Sequence, residues 1–257
     1  MTVDKLAAAF ATLEPIHPRC QAEVGQPDSA GWVDGDALRD AESGEFNRLL
    51  KTIGINLNTE RRKVIAACFA LRFGWLSGIA FGPFLINETV PDVRLCNLSL
   101  KFSKKALFEK AALHRLQVFD KGEPWQPPIH QLQAALIMQA QPVVNALQRW
   151  SEFPRQAIWA QIASSWSAQC AQLLQALGRV DETMPLLNSF FAESSLPTKS
   201  LPRIYPVTFE GHRRYFHESA SCCLYYKVSG GYCESCPLID EDERLRKNKE
   251  CLRKTVF

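Results

Sequence analysis

The chain has 257 residues, of which 46% are hydrophobic and 22% are charged, a composition typical of a globular protein with a sizeable core. The formal net charge of +3 is too small to indicate a polyanionic partner. No dense run of Lys and Arg is interleaved with aromatic residues, which argues against nucleic-acid binding. The N-terminus carries Asp4 and only a short apolar run, so it does not resemble a secretion or transit signal. We therefore expect a cytoplasmic protein whose nine cysteines are thiols or metal ligands rather than structural disulfides.

The N-terminal half is predicted to be mainly helical. A helix over 3–13 and a short helix over 45–53 are separated by a loop rich in Gly, Asp and Pro. Residues 64–86 form an apolar run long enough to span a bilayer, but Arg72 near its middle would cost roughly 2.5–3.5 kcal/mol there. The run is therefore predicted to be a buried or membrane-adjacent helix that stops at Pro83. Peripheral association with the cytoplasmic face of the inner membrane stays open.

The following segments alternate between strand and helix patterns. An alternating run over 93–102 predicts a strand, whereas 104–119 has helical propensity but could also form strands. Apolar residues at helical spacing then predict two long helices, over 129–150 and 155–177, and a shorter one over 181–193.

The C-terminal segment has a different pattern. Two β-rich runs, 203–209 and 213–218, are separated by "EGH", which predicts a hairpin. The last residues, from 240 onward, are charge-rich and are expected to form a solvated helix or a frayed tail.

These elements predict an α+β fold, with a mainly helical bulk, a small antiparallel sheet and a cysteine-rich C-terminal segment. We divide the chain into a helical region, 1–199, and a C-terminal segment, 200–257, within one integrated domain. The scattered cysteines, such as Cys68 and Cys170, are expected to be small buried hydrophobic residues.

Four cysteines lie close together in "SCCLYYKVSGGYCESCPL", residues 221–238, with the spacing C-C-x9-C-x2-C: Cys222, Cys223, Cys233 and Cys236. Their number suits zinc, an iron–sulfur centre or a pair of redox disulfides. A zinc site usually takes each pair from a C-x2–4-C turn, whereas adjacent cysteines in an extended segment project to opposite faces. A [2Fe–2S] cluster offers two metal atoms to such a set, and the C-x2-C-x2-C run of a [4Fe–4S] site is absent. Gly230 and Gly231 would let the backbone turn tightly between the pairs. The spacing favours an iron–sulfur centre, with zinc and thiol redox chemistry as alternatives.

The cysteine segment resembles the C-terminal end of the FhuF-type ferric-siderophore reductases, whose members carry two adjacent cysteines, a loop of about ten residues and a C-x2-C. The segments "QPVVNALQRW", 141–150, and "QAIWAQIASSWSAQ", 156–169, resemble the central helical region of the same family. This chain departs from the pattern in having nine residues between Cys223 and Cys233. The missing residue falls in the glycine-containing turn, where it is readily absorbed.

The resemblance implies a cytoplasmic reductase that binds one [2Fe–2S] cluster per chain through Cys222, Cys223, Cys233 and Cys236. Region 1–199 would then bind the substrate, a ferric siderophore that is expected to be of the hydroxamate type. Hard anionic oxygen donors hold Fe(III) far more tightly than Fe(II), so delivery of one electron releases the metal. A ferredoxin or a flavoprotein reductase would supply the electron.

Three basic residues close to the cysteines in sequence are candidates for attracting an anionic chelate: Arg213, Arg214 and Lys227. Two other functions remain as alternatives. One is a helical partner-binding protein whose C-terminal tail is stabilised by zinc, and the other is an iron–sulfur electron carrier without a substrate pocket.

Overall fold

The computed structural model describes residues 2–16, 20–120, 126–192 and 196–256, and it has the predicted α+β architecture. Its longer helices are α1 (Thr2–Leu13), α2 (Gly44–Asn56), α3 (Arg62–Gly74), α4 (Gly78–Asn87), α5 (Pro128–Ser151), α6 (Arg155–Ala176), α7 (Thr183–Ala192) and α9 (Glu241–Val256), with a single turn, α8 (Tyr226–Ser229), before the last. Its strands are β1 (Ala22–Val24), β2 (Trp32–Asp34), β3 (Leu98–Phe102), β4 (Phe108–Leu113), β5 (Arg203–Phe209) and β6 (His212–Glu218).

Helix α6 is the centre of the core and packs against α3, α4 and α5. Its predicted apolar stripe is buried as expected: Ile158, Ile162, Trp166 and Leu173. The opposite faces are buried as well, and the rings of Trp159 and Trp166 meet edge to face at 6.2 Å. Because α6 is packed on nearly all sides, it is a fixed support for the segments that hydrogen-bond to it.

The apolar run over 64–86 does not form one helix, as the sequence predicted, but two. A 3₁₀ turn, Trp75–Ser77, separates α3 from α4. The segment Arg62–Asn87 is long and apolar enough to cross a membrane, yet 83% of its most apolar window is buried inside the protein. Pro83 lies inside α4 rather than at its end, which comes at Asn87. Because residues 78–85 are all buried, their packing offsets the cost of a proline in the helix.

A four-stranded sheet with the order β1-β4-β3-β2 covers one side of the helices. β3 pairs antiparallel with β2 and β4, and β1 adds to the edge of β4 in parallel. The ambiguous segment 104–119 supplies β4. The strand predicted over 93–102 begins only at Leu98, because Leu95–Asn97 forms a 3₁₀ turn in which Asn97 Nδ2 donates to the carbonyl of Asp92 at 2.8 Å.

The predicted hairpin is confirmed, with β5 and β6 in continuous antiparallel register from Arg203↔Glu218 to Phe209↔His212. Its two-residue turn places Glu210 at φ 47° and Gly211 at φ 80°, the left-handed pair that matches the twist of a hairpin. Strand β6 packs against α6, and α9 packs against β5. The charge-rich C-terminus is therefore a packed helix, with Leu252 buried on its inner side. The division of the chain at residue 199 stays a prediction.

Candidate metal centre

The four cysteines follow β6 directly, and α6 holds the approach to the first two. Gln161 on α6 donates from Nε2 to the carbonyl of Ser221 at 2.7 Å and to its Oγ at 2.6 Å. Ser164 Oγ accepts from the backbone N–H of Ala220 at 3.0 Å, and Ser221 Oγ donates to the carbonyl of Ala157 at 3.2 Å. The dipeptide Cys222-Cys223 is thus placed by hydrogen bonds to α6, the central helix of the core.

Helix α9 holds the second pair of cysteines. The guanidinium of Arg244, whose side chain is only 4% exposed, donates to the carbonyls of Cys236 at 3.3 Å and Ile239 at 2.7 Å. It also forms an ion pair with Glu218, at the end of β6, at 3.1 Å. Because an unpaired buried arginine would be costly, these partners fix the segment after Cys236 against the hairpin.

The turn between the two pairs lies at the surface. Gly230 follows the last residue of α8 and takes the left-handed conformation, at φ 72°. This is the tight turn that the glycine pair predicted. The rings of Tyr226 and Tyr232 pack together at 5.2 Å across this turn. No heavy atom lies within 4 Å of where a Cβ on Gly230 or Gly231 would be, so the turn has open space around it.

Backbone N–H groups two residues further along the chain lie beside the cysteine sulfurs. Leu224 N–H donates to Cys222 Sγ at 3.3 Å. The backbone of Tyr225, Ser235 and Leu238 acts in the same direction on Cys223, Cys233 and Cys236, because each favours the thiolate and so lowers the pKa. Hydrogen bonds of this kind stabilise thiolate sulfur and orient it toward a metal. The backbone is therefore folded in a form that suits four thiolate ligands.

The sulfurs are arranged as two pairs. The Cys223 thiol donates a hydrogen bond to Cys233, which raises the pKa of Cys223 and lowers that of Cys233 to about 6. Burial, the proximity of Cys233 and Cys222 and a hydrogen bond to Cys222 raise the pKa of Cys236 to about 11. The adjacent cysteines thus lie near enough to the C-x2-C cysteines for the two sets to shift one another's pKa.

The four cysteines supply the donors that two different metal centres need. A [2Fe–2S] cluster takes two thiolates on each of two irons, and a structural zinc ion takes four thiolates around one metal. The donor set therefore fits a [2Fe–2S] cluster, and residue chemistry alone leaves zinc as the alternative.

A cavity of about 320 Å³ lies between the cysteines and helix α3. Cys223, Cys233 and Cys236 line one side, and Cys68 and Arg72 line the other. The remaining lining is largely apolar and includes Leu57, Leu71, Trp75, Leu107 and Pro237, with Gln161 and Glu234 among its polar members. The cysteines thus line a partly open cleft rather than a flat surface.

The basic residues that the sequence singled out lie elsewhere. Arg213 is paired with Asp181 at 2.7 Å, and the Arg214 guanidinium lies 5.4 Å from the centre of the Phe216 ring. The Lys227 ammonium lies 5.9 Å from the centre of its neighbouring tyrosine ring. None of the three belongs to the described lining of the cysteine cavity.

Sequence reasoning missed Arg72, Cys68 and Gln161 as residues of this site. Cys68 is buried as predicted, and burial, with a smaller contribution from the nearby Cys222, raises its pKa to about 11. Cys68 in turn adds to the raised pKa of Cys223. The available signal was Arg72 itself, because a charged residue inside a long apolar run usually has a specific partner or role.

The fold and the cysteine arrangement together define an α+β protein with four cysteines clustered near its C-terminal end. Residues 220–238 match the family model described as the FhuF 2Fe-2S C-terminal domain, which confirms the resemblance inferred from the cysteine segment. The match covers the approach to Cys222 and ends two residues after Cys236. No curated protein matches the chain.

Proposed function

We propose that this protein is a cytoplasmic ferric-siderophore reductase that holds one [2Fe–2S] cluster on Cys222, Cys223, Cys233 and Cys236. The match of residues 220–238 to the FhuF 2Fe-2S C-terminal domain supports membership of an iron–sulfur, reductase-like family. The observation that carries the proposal is that α6 and α9 hold the two halves of the matched cysteine segment in place, because a [2Fe–2S] cluster takes four thiolates.

When bound, a [2Fe–2S] cluster supplies one electron at a time to an acceptor. The chain provides its position and its surroundings. Metal binding requires thiolates, so the protons that Cys223 and Cys236 hold within their pairs must leave first. The four backbone N–H groups then remain to stabilise the negative sulfurs, and the hydrogen bonds from α6 and α9 keep the two halves of the segment in place.

The substrate in this proposal is an Fe(III) complex of a hydroxamate siderophore. Its oxygen donors are hard anions that bind Fe(III) much more tightly than Fe(II), so accepting one electron makes the metal labile. The chain then needs only to bring the complex near the cysteines, and a ferredoxin or flavoprotein reductase would restore the electron.

The first test is the metal content of protein purified without oxygen. Two irons and two acid-labile sulfides per chain, with a red-brown colour, are expected. The reduced protein should then be titrated with a ferric trihydroxamate while a chelator specific for Fe(II) captures the product. One zinc and no sulfide would refute the proposal in favour of a structural tail, and a full cluster that passes no electron to the chelate would favour a carrier.

Cys233→Ser and Cys170→Ser form a matched pair for this test. Cys233 belongs to the four-thiol segment, whereas Cys170 is fully buried in α6 and lies outside the cysteine cavity. We expect the first variant to lose the colour and the iron, and the second to keep both.

A further inference from the structure

The cavity beside the cysteines has an uneven distribution of charge. Arg72 is the only Lys or Arg among its described lining residues, and it lies on α3, across from the cysteine side. Glu234, next to Cys233, is the carboxylate of the lining. An anion bound in the cavity would therefore be drawn to the α3 side and kept from the Glu234 side.

Arg72 is held ready for an anionic partner. Its Nη1 donates to the carbonyl of Lys105 at 2.9 Å and more weakly to that of Ala106 at 3.5 Å. In the described ranges no carboxylate forms an ion pair with it, so its charge is not neutralised by the protein. An arginine has five N–H donors, and two contacts made through one nitrogen leave most of them available. Its side chain is half-buried, which strengthens any charge-assisted hydrogen bond that it makes.

A second observation indicates an unfilled polar requirement in the same cavity. Gln161 lines it and is fully buried, and its Oε1 has no hydrogen-bond partner. The amide cannot simply be turned over, because Nε2 donates to the carbonyl of Ser221 and an oxygen in that place could not. A buried acceptor without a donor costs free energy, which an N–H group of a bound molecule would recover.

We propose that this cavity receives the edge of the ferric chelate, with Arg72 donating hydrogen bonds to its hydroxamate oxygens and Gln161 accepting one from its N–H groups. The proposal rests on the function proposed above and names the substrate side of that site. The cavity of about 320 Å³ has roughly ten times the volume of a water molecule, and two irons and two sulfides would fill only part of it. An apolar surface of Leu71, Trp75 and Leu107 remains for the hydrocarbon parts of the ligand.

Binding is best measured without electron transfer. The probe is the gallium(III) complex of desferriferrichrome, in which Ga(III) replaces Fe(III) and cannot be reduced. The complex is neutral overall, but its metal-bound hydroxamate oxygens carry the negative charge that Arg72 would meet. Trp75 lines the cavity, so a fluorescence change that disappears in Trp75→Phe would report binding at this place. Arg72→Gln is expected to weaken binding about 10- to 100-fold, the range for loss of a charged hydrogen bond.

Arg62→Gln is the matched control, because Arg62 lies at the start of the same helix and stacks at 5.3 Å on Trp150, away from the cysteines. It should bind the gallium complex as wild type does. Arg72→Lys keeps the charge and should lose less affinity than Arg72→Gln. Circular-dichroism melting of each variant shows whether it is folded. If Arg72→Gln is not folded, the affinity of Arg72→Lys decides the test.

Unchanged gallium-complex binding in folded Arg72→Gln and Arg72→Lys would overturn the assignment. If the reduction potential shifts in the same variants, Arg72 is instead a residue that tunes the metal centre. These outcomes are distinct from failure of the proposed function. If the protein contains zinc but binds the gallium complex in an Arg72-dependent way, the binding site is supported and the reductase function is refuted. If the protein reduces the ferric chelate but does not depend on Arg72, the reductase function is supported and the binding site is refuted.

Discussion

Gly74 on α3 packs tightly against α6, and Gly74→Ala tests how strongly the site depends on that contact. A Cβ at position 74 would lie 2.5 Å from Ser165 Cβ, 3.0 Å from Ser165 Oγ and 3.1 Å from the carbonyl oxygen of Ile162. Because ordinary carbon contacts start at roughly 3.5 Å, the two helices would have to separate by about 1 Å. The obstructing atoms belong to the backbone or lie at the base of a side chain, so they cannot rotate away.

The expected cost follows from two opposing effects. Overpacking of a well-packed core costs about 1–3 kcal/mol, and the better helix propensity of Ala returns up to about 1 kcal/mol. The free energy of unfolding should therefore fall by about 1–2 kcal/mol, which for a chain of this size lowers Tm by about 2–8 °C. The separation also stretches the 2.7 Å hydrogen bond from Ser165 Oγ to the carbonyl of Leu71. Arg72 would move away from the cysteines that α6 holds, so affinity for the gallium complex should fall as well.

Urea and thermal unfolding of Gly74→Ala and Gly44→Ala provide the comparison. Gly44 begins α2, and a Cβ there would meet no atom within 4 Å, so its replacement should be neutral or slightly stabilising. In a Ser165→Gly background the closest obstruction is gone, and Gly74→Ala should cost less than it does alone. Two results would contradict this reasoning. One is that Gly74→Ala is as stable as Gly44→Ala. The other is that Gly74→Ala lowers the free energy of unfolding equally in wild type and in Ser165→Gly, which would show that contact with α6 does not exclude a larger residue at position 74.

Three further predictions concern the site and its surroundings. Cys233→Ser should lose iron and sulfide while Cys170→Ser retains them, and equal metal content in the two would refute the ligand assignment. Gln161→Leu removes two hydrogen bonds to Ser221, so the unfolding free energy should fall by about 1–2 kcal/mol. The cluster should also be lost faster on dilution. An unchanged rate of cluster loss would show that α6 does not place the cysteines. Burial lowers the pKa of His217 to about 4, so below pH 6.5 the unfolded state takes up a proton that the folded state excludes. Stability should thus decrease as the pH falls from 6.5 toward 4, by about 2 kcal/mol at pH 5, and His217→Gln should lack this part of the decrease in urea unfolding.

The parts of the fold that the sequence predicts well have a local cause. The hairpin of β5 and β6 follows from β-rich runs around a two-residue turn, and the central helices follow from apolar spacing. The break at Trp75–Ser77 could not be predicted in this way, because α3 and α4 are buried on nearly all sides and a run without a polar face has no periodicity to interrupt. β1 and β2 are three residues each and form only because β3 and β4 offer them an edge. Such short strands depend on tertiary contacts that local patterns do not contain.

The same distinction applies to the candidate site. The four cysteines lie within one short segment, so their spacing alone indicates a metal centre. Arg72 and Gln161 are more than 50 residues away along the chain, and only the packing of α3 and α6 brings them to the cysteines. Arg213 and Arg214 are closer to the cysteines in sequence and were therefore the natural candidates. They lie on β6, where successive side chains point to opposite faces, and Arg213 forms an ion pair with Asp181. Neither lines the cysteine cavity.

The contacts on either side of the spacer also explain how nine residues can stand between Cys223 and Cys233. Leu224 at φ 60° turns the chain away immediately after the adjacent cysteines. The sulfurs are positioned by α6 before the spacer and by Arg244 after it, whereas the spacer turn at Gly230 and Gly231 is exposed. Insertion of one glycine between these two residues should therefore leave iron and sulfide per chain unchanged and lower the unfolding free energy by well under 1 kcal/mol. Loss of iron after that insertion, with the protein still folded, would mean that the turn itself sets the distance between the pairs.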